Sequence, residues 1–295
     1  MRNAFIDELV LAARTDEKVF LLVGDLGYGV VEPFAKEFPK RFINAGVAEQ
    51  SMMGVAAGLA SEGYHPFVYS IANFPTFRCA EQIRNDVAYH NLPVTIVAVG
   101  GGLSYGNLGY SHHAVQDYAL IRTMPEMLIA SPGDPFEVRA CMRYLIRNPQ
   151  PSYLRLSKAG EPNLHLAVPE VNTGQWLAVR RGGSKKRAYL TTGGVLDWVC
   201  REAPLDSWVY SLPLWGMATK ENQLDWVSEF EEVVTVEDHL IDGGLGSWML
   251  EALSDRSELV TRIRIQALSP LVCGMVGRQS TLNAEGGLTR ERLCG

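Results

Sequence analysis

Short apolar runs alternate with helical segments along most of the chain, and few architectures accommodate that order. Runs such as VFLLV at 19–23 and PVTIVAV at 93–99 are nearly continuous in Val, Ile and Leu instead of alternating with polar residues. Strands of that composition are buried on both faces, which requires a parallel sheet covered by helices on each side. The pattern therefore predicts a doubly wound α/β fold.

The alternation falls into two blocks of unequal length. The first block, residues 1–160, begins with the amphipathic helical segment MRNAFIDELVLAART. Residues 161–187 interrupt the rhythm with Gly, Pro, Asn and Lys, and we interpret them as a linker that contains a short hairpin. The second block, residues 188–295, contains the strand-like segments RAYLTTGG, DSWVYSLPL, EVVTVEDH and LVTRIRIQAL. We expect two doubly wound α/β domains, of which the second is the smaller.

Composition and charge argue against several kinds of partner. The chain has 27 Lys and Arg against 33 Asp and Glu, a formal net charge of −6, which disfavours binding to nucleic acid or to an anionic membrane. No apolar stretch approaches the roughly 20 residues that span a bilayer, and the N-terminal segment contains acids, unlike a signal peptide. The five cysteines are scattered without CxxC spacing, so neither a zinc site nor a disulfide framework is indicated. We expect a cytoplasmic protein.

Glu49 is the most unusual charged residue of the first block. It lies in RFINAGVAEQSMMGVAAGLASEGY, residues 41–64, among small apolar residues and at the start of a predicted helix. One explanation is simply that the helix dipole favours an acid in the first turn. However, Glu49 and the loops 71–78 and 100–113 each follow a predicted strand. Because ligands bind at the carboxyl ends of parallel strands, these segments are expected to meet at one edge of the sheet.

Three segments resemble one enzyme family. NAGVAEQSMMGVAAGLASEGYHPFVYS (44–70), EQIRNDVAYHNLPVTIVAVGGGLSYGNLGYSHHAVQD (81–117) and VTVEDHLIDGGLGSWMLEAL (234–253) are similar to the transketolase and deoxyxylulose-phosphate synthase group of thiamine-diphosphate enzymes. The resemblance implies a pyrimidine-binding domain at 1–160, followed after the linker by a transketolase C-terminal domain at 188–295.

The resemblance also implies a partner subunit. In this family a GDG element and a following Asn hold Mg²⁺ and the diphosphate, whereas GDLGYG at 24–29 resembles a segment of the pyrimidine-binding domain. The chain is therefore similar to the C-terminal subunit of a split transketolase. A separate N-terminal subunit is expected to carry the diphosphate-binding domain and the Mg²⁺, in a heterotetramer with two copies of each chain; no metal ligand is expected in this chain.

The resemblance assigns roles toward the cofactor to four residues. Glu49 would hydrogen-bond N1′ of the aminopyrimidine and favour the tautomer that removes the C2 proton of the thiazolium. The small residues around Glu49 would exclude water and strengthen that hydrogen bond. Phe74, with Phe77 as the alternative, would lie against the pyrimidine ring, and Asp25 matches an acidic position near the cofactor. Core packing for the phenylalanines and a turn for Asp25 remain the simpler explanations.

Four further residues match positions near the reacting groups. His112 would contact a substrate hydroxyl and assist proton movement, and His113 matches the second His of the synthase pattern. Arg78 and Lys158 align with positions that bind a substrate phosphate in the synthase branch. Lys158 replaces an Arg there, so a bidentate contact would become a point-charge contact. Ordinary surface positions are the alternative for each of these residues.

Two departures from the family pattern concern the substrate. Transketolases usually have a His where this chain has Gly100, and an acid that binds a sugar hydroxyl where it has Leu108. Losing one such contact can change discrimination by orders of magnitude. We therefore expect a specialised transfer of a two-carbon ketol or acyl unit from a donor to an aldehyde acceptor, in sugar or secondary-metabolite biosynthesis. The alternatives are the beta subunit of a 2-oxo acid dehydrogenase or decarboxylase, and a non-catalytic scaffold subunit.

Overall fold

A computed structural model of the chain describes residues 1–295 and contains twelve β-strands and thirteen α-helices. The strands are β1 (Val19–Val23), β2 (Phe42–Asn44), β3 (His65–Ile71), β4 (Thr95–Val99), β5 (Leu128–Ala130), β6 (Ser152–Leu156), β7 (Leu177–Arg180), β8 (Arg187–Thr191), β9 (Trp208–Ser211), β10 (Leu214–Gly216), β11 (Glu232–Leu240) and β12 (Ile263–Leu268). The helices are α1 (Arg2–Thr15), α2 (Glu32–Glu37), α3 (Glu49–Ser61), α4 (Asn73–Thr76), α5 (Ala80–Gln82), α6 (Asp117–Ile121), α7 (Pro135–Arg147), α8 (Leu196–Glu202), α9 (Gln223–Ser228), α10 (Leu245–Ala252), α11 (Ser257–Val260), α12 (Gln279–Glu285) and α13 (Arg290–Cys294). None of them combines the length and the apolar composition that crossing a bilayer requires.

The first sheet has seven strands in the order β10-β5-β6-β4-β3-β1-β2. Strands β1 to β6 are parallel, as their apolar composition predicts. Side chains of alternate strand residues point to opposite faces: Leu21 packs with α1 and α7 in one core, and Leu22 packs with α3 in the other. Helices therefore cover both faces, which confirms the predicted α/β class.

The second sheet has five strands in the order β12-β11-β8-β9-β7. Its central strands are parallel, and β7 runs antiparallel to β9 at one edge. Strand β7 lies inside the segment 161–187. It pairs with β9 and not with β8, so the hairpin expected in that segment is wrong. The division of the chain at residues 160 and 188 stays a prediction.

Two strand predictions for the second block are also corrected. The segment DSWVYSLPL forms two strands in different sheets, because Pro213 lacks the N–H that would continue the ladder. Strand β9 stays in the second sheet, while β10 pairs antiparallel with β5 of the first. The segment LVTRIRIQAL begins as the end of helix α11, which buries Leu259 in the core, and becomes a strand only at Ile263.

A buried ionic network connects the two sheets. Arg155 on β6 donates from Nε to Asp117 Oδ2 at 2.8 Å and from Nη1 to Asp238 Oδ1, on β11, at 2.6 Å. Its Nη2 donates to the carbonyl oxygen of Ala114 at 2.7 Å, and Tyr153 donates to Asp117 at 2.7 Å. The charged side chains are almost completely buried, so leaving any one of them without its partner would be strongly destabilising. These hydrogen bonds therefore hold the second sheet against the first.

Candidate active site

The carboxyl ends of four neighbouring parallel strands, β1 to β4, form one edge of the first sheet. Asp25 follows β1, helix α3 with Glu49 follows β2, and Phe74 follows β3. The glycine-rich loop 100–113 follows β4. The expectation that these segments meet at one edge is confirmed.

Glu49 is the first residue of helix α3, and its side chain is only 4% exposed. Its Oε2 accepts a hydrogen bond of 3.0 Å from Nη1 of Arg78, whose side chain is 50% exposed. On another side, Gly24 lies so close that an added Cβ would be 3.8 Å from Cγ of Glu49. The carboxylate is thus enclosed by protein, and a half-exposed cation lies between it and solvent.

Phe74 lies between Arg78, which binds Glu49, and His112 in the loop 100–113. The guanidinium carbon of Arg78 lies 4.4 Å from the centroid of the Phe74 ring. The ring of His112 meets Phe74 edge-on, with 5.3 Å between centroids. Phe77 makes neither contact and is 46% exposed, although both phenylalanines line the same open cavity of about 300 Å³. Of the two, Phe74 is the better placed to support a flat ring beside Glu49.

The two histidines differ in environment. His112 ends a 3₁₀ turn and is partly buried; its Nδ1 lies 3.0 Å from Oγ of Ser111. Burial, followed by the neighbouring His113, lowers the pKa of His112 below its ordinary value. His113 is almost fully buried: Nε2 lies 3.3 Å from the carbonyl oxygen of Gly106, and Nδ1 has no hydrogen-bond partner. His113 thus lines the cavity with a ring nitrogen that is buried and unpaired, which is uncommon for a buried polar atom.

Asp25 lies in a tight turn, with a positive φ of 52°. Its Oδ1 accepts hydrogen bonds from Asn44 Nδ2 at 3.0 Å and from the hydroxyl of Tyr28 at 3.2 Å. Its backbone N–H donates to Oδ1 of Asn44 at 3.2 Å. These contacts tie the ends of β1 and β2 together just before Glu49, as expected of a turn residue; a role near the cofactor stays a prediction.

Tyr105 belongs to this site although the sequence interpretation missed it. Its ring lies against the backbone of Gly100, edge-on to His112 with 6.3 Å between centroids. Nζ of the exposed Lys158 lies 5.1 Å from the Tyr105 centroid. The glycine run before Tyr105 was the available signal. Glu49, Arg78, Phe74, His112, Tyr105 and Lys158 therefore form one continuous series of neighbours.

Two acids and a histidine cluster at the start of helix α7, apart from the site described above. Ligand-type atoms of Asp134, Glu137 and His165 lie within 4.8 Å of one another. Their oxygens already have partners: Asp134 accepts from the backbone of Glu137, Leu164 and His165, and Glu137 accepts from Gly133 and Ser211. Burial tends to lower the pKa of His165, but the hydrogen bond to Glu137 and its charge raise it overall. This cluster caps the helix and holds the following segment.

The site fits the pyrimidine end of thiamine diphosphate. That end of the cofactor requires a hydrogen-bonding acid at N1′ and an aromatic face against its ring. Glu49 offers the acid and Phe74 the face, and the two lie close enough for the guanidinium of Arg78 to contact both.

Comparisons with known proteins point to the same enzyme family. Residues 1–161 match the family described as transketolase, pyrimidine binding domain. The chain is 32% identical over 303 residues to an apulose-4-phosphate transketolase subunit of Phocaeicola vulgatus, covering 99% of this chain and 95% of the relative. It is 29% identical over 306 residues to a 6-deoxy-6-sulfo-D-fructose transketolase subunit of a Clostridium species, covering 99% and 92%.

A solved structure is similar over the same length. It is described as a split gene transketolase, inactive beta4 tetramer, and matches with a TM-score of 0.87 and 30% identity, covering 99% of this chain and 95% of that one. Both chains are therefore alike in extent as well as in fold.

Proposed function

The chain belongs to the transketolase family of thiamine-diphosphate enzymes, and on that basis we propose that it is the C-terminal subunit of a split transketolase, which moves a two-carbon ketol unit from a ketose donor to an aldehyde acceptor. The observation that carries this proposal is the buried carboxylate of Glu49 at the sheet edge, next to the guanidinium that covers Phe74. A scaffold subunit has no need for a buried acid at that position.

We assign to Glu49 the hydrogen bond to N1′ of the aminopyrimidine that would activate the cofactor. The enclosed surroundings of the carboxylate would strengthen this hydrogen bond. Phe74 supports the ring and fixes its orientation. Thiamine diphosphate itself, when bound, supplies the carbanion and the electron sink of the reaction. We assign the diphosphate and its Mg²⁺ to the partner subunit.

His112 and His113 serve the substrate side. The lowered pKa of His112 keeps its imidazole neutral at physiological pH, so that it can accept a proton from a substrate hydroxyl and return it. His113 also lines the cavity, and its Nδ1 has no hydrogen-bond partner within the chain.

We propose that the donor or acceptor is a sugar with an anionic group. Arg78, next to Glu49, and Lys158, at the other end of the series of neighbours described above, provide two cations. The relatives are named for apulose 4-phosphate and for 6-deoxy-6-sulfofructose, one a phosphate and the other a sulfonate. Leu108, which is 51% exposed, cannot bind a hydroxyl group, and this favours a sugar that differs from the common pentose phosphates.

Activity requires the partner subunit in this proposal, and the assembly contains two copies of each chain. The support is that the chain matches nearly the full length of relatives that are themselves named as subunits. We further propose a cytoplasmic location, because all five cysteines are unpaired.

The test is reconstitution with the partner chain. The complex with thiamine diphosphate and Mg²⁺ is assayed with a ketose phosphate and, separately, with pyruvate as donor, in the presence of an aldose acceptor. Ketose cleavage with transfer is expected. Turnover of pyruvate alone would instead assign the chain to the 2-oxo acid branch. Absence of cofactor binding by the complete complex would identify a scaffold.

A further inference from the structure

Tyr105 is packed on a glycine that leaves room for it. Gly100 has a positive φ of 85°, and a methyl group added at this position would overlap the Tyr105 ring. A side chain at residue 100 and the ring of residue 105 therefore exclude each other. In this chain the Tyr105 ring occupies the space that a side chain at residue 100 would need.

The loop that carries Tyr105 is held at both ends. The backbone N–H of Gly100 donates to Leu156 at 2.8 Å, and Gly102 and Ala114 exchange two hydrogen bonds of 2.9 Å. Leu103 is fully buried in the core of the second sheet. The backbone before Tyr105 is therefore anchored to both sheets, and the ring lies against Gly100.

Lys158 is the cation that this surface holds. It follows strand β6, and its Nζ lies 5.1 Å from the ring centroid, within the range of a cation–π contact. Lys158 forms no salt bridge with any carboxylate of the chain, whereas many of its other cations do. Its charge is thus positioned by a ring and left available for an anion. The same ring contacts His112.

We propose that Tyr105 is a positioning residue that holds Lys158 against the same ring that contacts His112, so that Lys158 binds the phosphate or sulfonate of the sugar substrate. This inference rests on the proposed function and adds a specificity-determining residue to it. A flexible lysine loses conformational entropy when it is fixed in one place. Contact with the ring fixes the ammonium in advance and lowers that cost when the anion binds. Gly100 is part of the same device, since only glycine leaves the ring in place.

The experiment compares variants of the chain in the complex with its partner. Tyr105→Leu removes the ring face, Tyr105→Phe retains it, and Lys158→Met removes the charge. With a ketose phosphate as donor, Tyr105→Leu is expected to raise KM roughly three- to tenfold and to leave kcat unchanged. Tyr105→Phe should behave like the wild type. In the Lys158→Met background, the additional effect of Tyr105→Leu should disappear, because the two residues act through one contact.

A binding measurement that needs no turnover accompanies the kinetics. Inorganic phosphate is titrated into each complex by calorimetry, and Tyr105→Leu and Lys158→Met should weaken its binding by similar factors. Equal KM values for wild type and Tyr105→Leu, or effects that simply add in the double variant, would overturn the inference while the wild-type complex remains active. A wild-type complex that transfers no ketol unit would instead overturn the proposed function.

Discussion

Arg78 Nη1 donates a hydrogen bond of 3.0 Å to Oε2 of Glu49 while its guanidinium lies over the ring of Phe74. The same two contacts, a hydrogen bond to the acid and a flat group on the aromatic face, are those proposed for the aminopyrimidine of the cofactor. Binding of the pyrimidine therefore competes with Arg78. Its guanidinium, half-exposed, is free to turn toward solvent and toward an anionic substrate.

Replacing Arg78 should consequently have opposite effects on cofactor and substrate. In Arg78→Met the competing hydrogen bond is absent, and the Kd of thiamine diphosphate for the assembled complex should fall about three- to tenfold. The KM of a ketose phosphate should rise, because a cation is lost. Calorimetric titration and initial rates measure the two quantities. Weaker cofactor binding by Arg78→Met would contradict the competition.

Glu49→Gln should eliminate catalysis without unfolding the chain. An amide oxygen can still accept from Arg78, but an amide cannot share a proton with N1′; turnover should drop by a factor of about 10² to 10⁴. Glu62→Gln, at the exposed C-terminal end of the same helix, is the matched control and should keep full activity. Circular dichroism verifies folding of both variants. If Glu49→Gln retained wild-type kcat, the proposed role of the acid would be wrong.

The activity of the complex should fall at acidic pH with a midpoint below about 6.5, the ordinary pKa of histidine. Burial, and then repulsion from His113, lower the pKa of His112, so the imidazole stays neutral to a lower pH than a free histidine does. His113→Asn removes the repulsion and should move the midpoint upward. The measurement is kcat/KM against pH for both complexes. A midpoint that shifts downward in the variant would refute the coupling between these residues.

Arg155 should be among the residues most important for stability. Arg155→Met leaves Asp117 and Asp238 buried without their cation, and we expect a loss of about 3–5 kcal/mol in the free energy of unfolding. Arg14→Gln is the control: it removes an arginine that also binds a carboxylate through two hydrogen bonds, but at the surface. Urea denaturation of the two variants should therefore differ strongly. Equal losses would show that burial of the Arg155 network has no special effect.

Two buried histidines predict a loss of stability in acid. Burial lowers the pKa of His65 and of His239 to about 4 from an ordinary 6.5. The folded state therefore binds fewer protons than the unfolded state between these values. The contribution of these two neutral histidines to the free energy of unfolding is complete above pH 6.5 and is lost as the pH falls toward 4. The loss is up to roughly 1.4 kcal/mol per pH unit for each histidine. His65→Gln should reduce this slope in urea denaturation at pH 7, 6 and 5, and parallel curves would contradict it.

The architecture around the site was predictable because it depends on local composition. Continuous apolar runs require a sheet buried on both faces, and the order of strands and loops then places Glu49, Phe74 and His112 at one edge. All three are found there. Strand β10 was not predictable in this way, since pairing with β5 depends on where Pro213 redirects the chain.

The missed contacts of the site depend on relationships between side chains that no linear pattern contains. Arg78 and Glu49 were assigned separate partners, the substrate and the cofactor, yet they bind each other. Gly100 was interpreted only through the histidine that it replaces. Gly100 also makes room for the Tyr105 ring, and this depends on the positive φ at residue 100 and on the path of the loop.

The crossing of strand β10 into the first sheet has a consequence for how such a chain can be divided. Trp215 on this strand is fully buried and lies opposite Ile129 of β5. A protein ending near residue 161 would have β5 as a bare, apolar border, open to pairing with strands of other molecules. Cutting the chain between the two blocks would therefore remove an edge strand of the first sheet together with the second sheet.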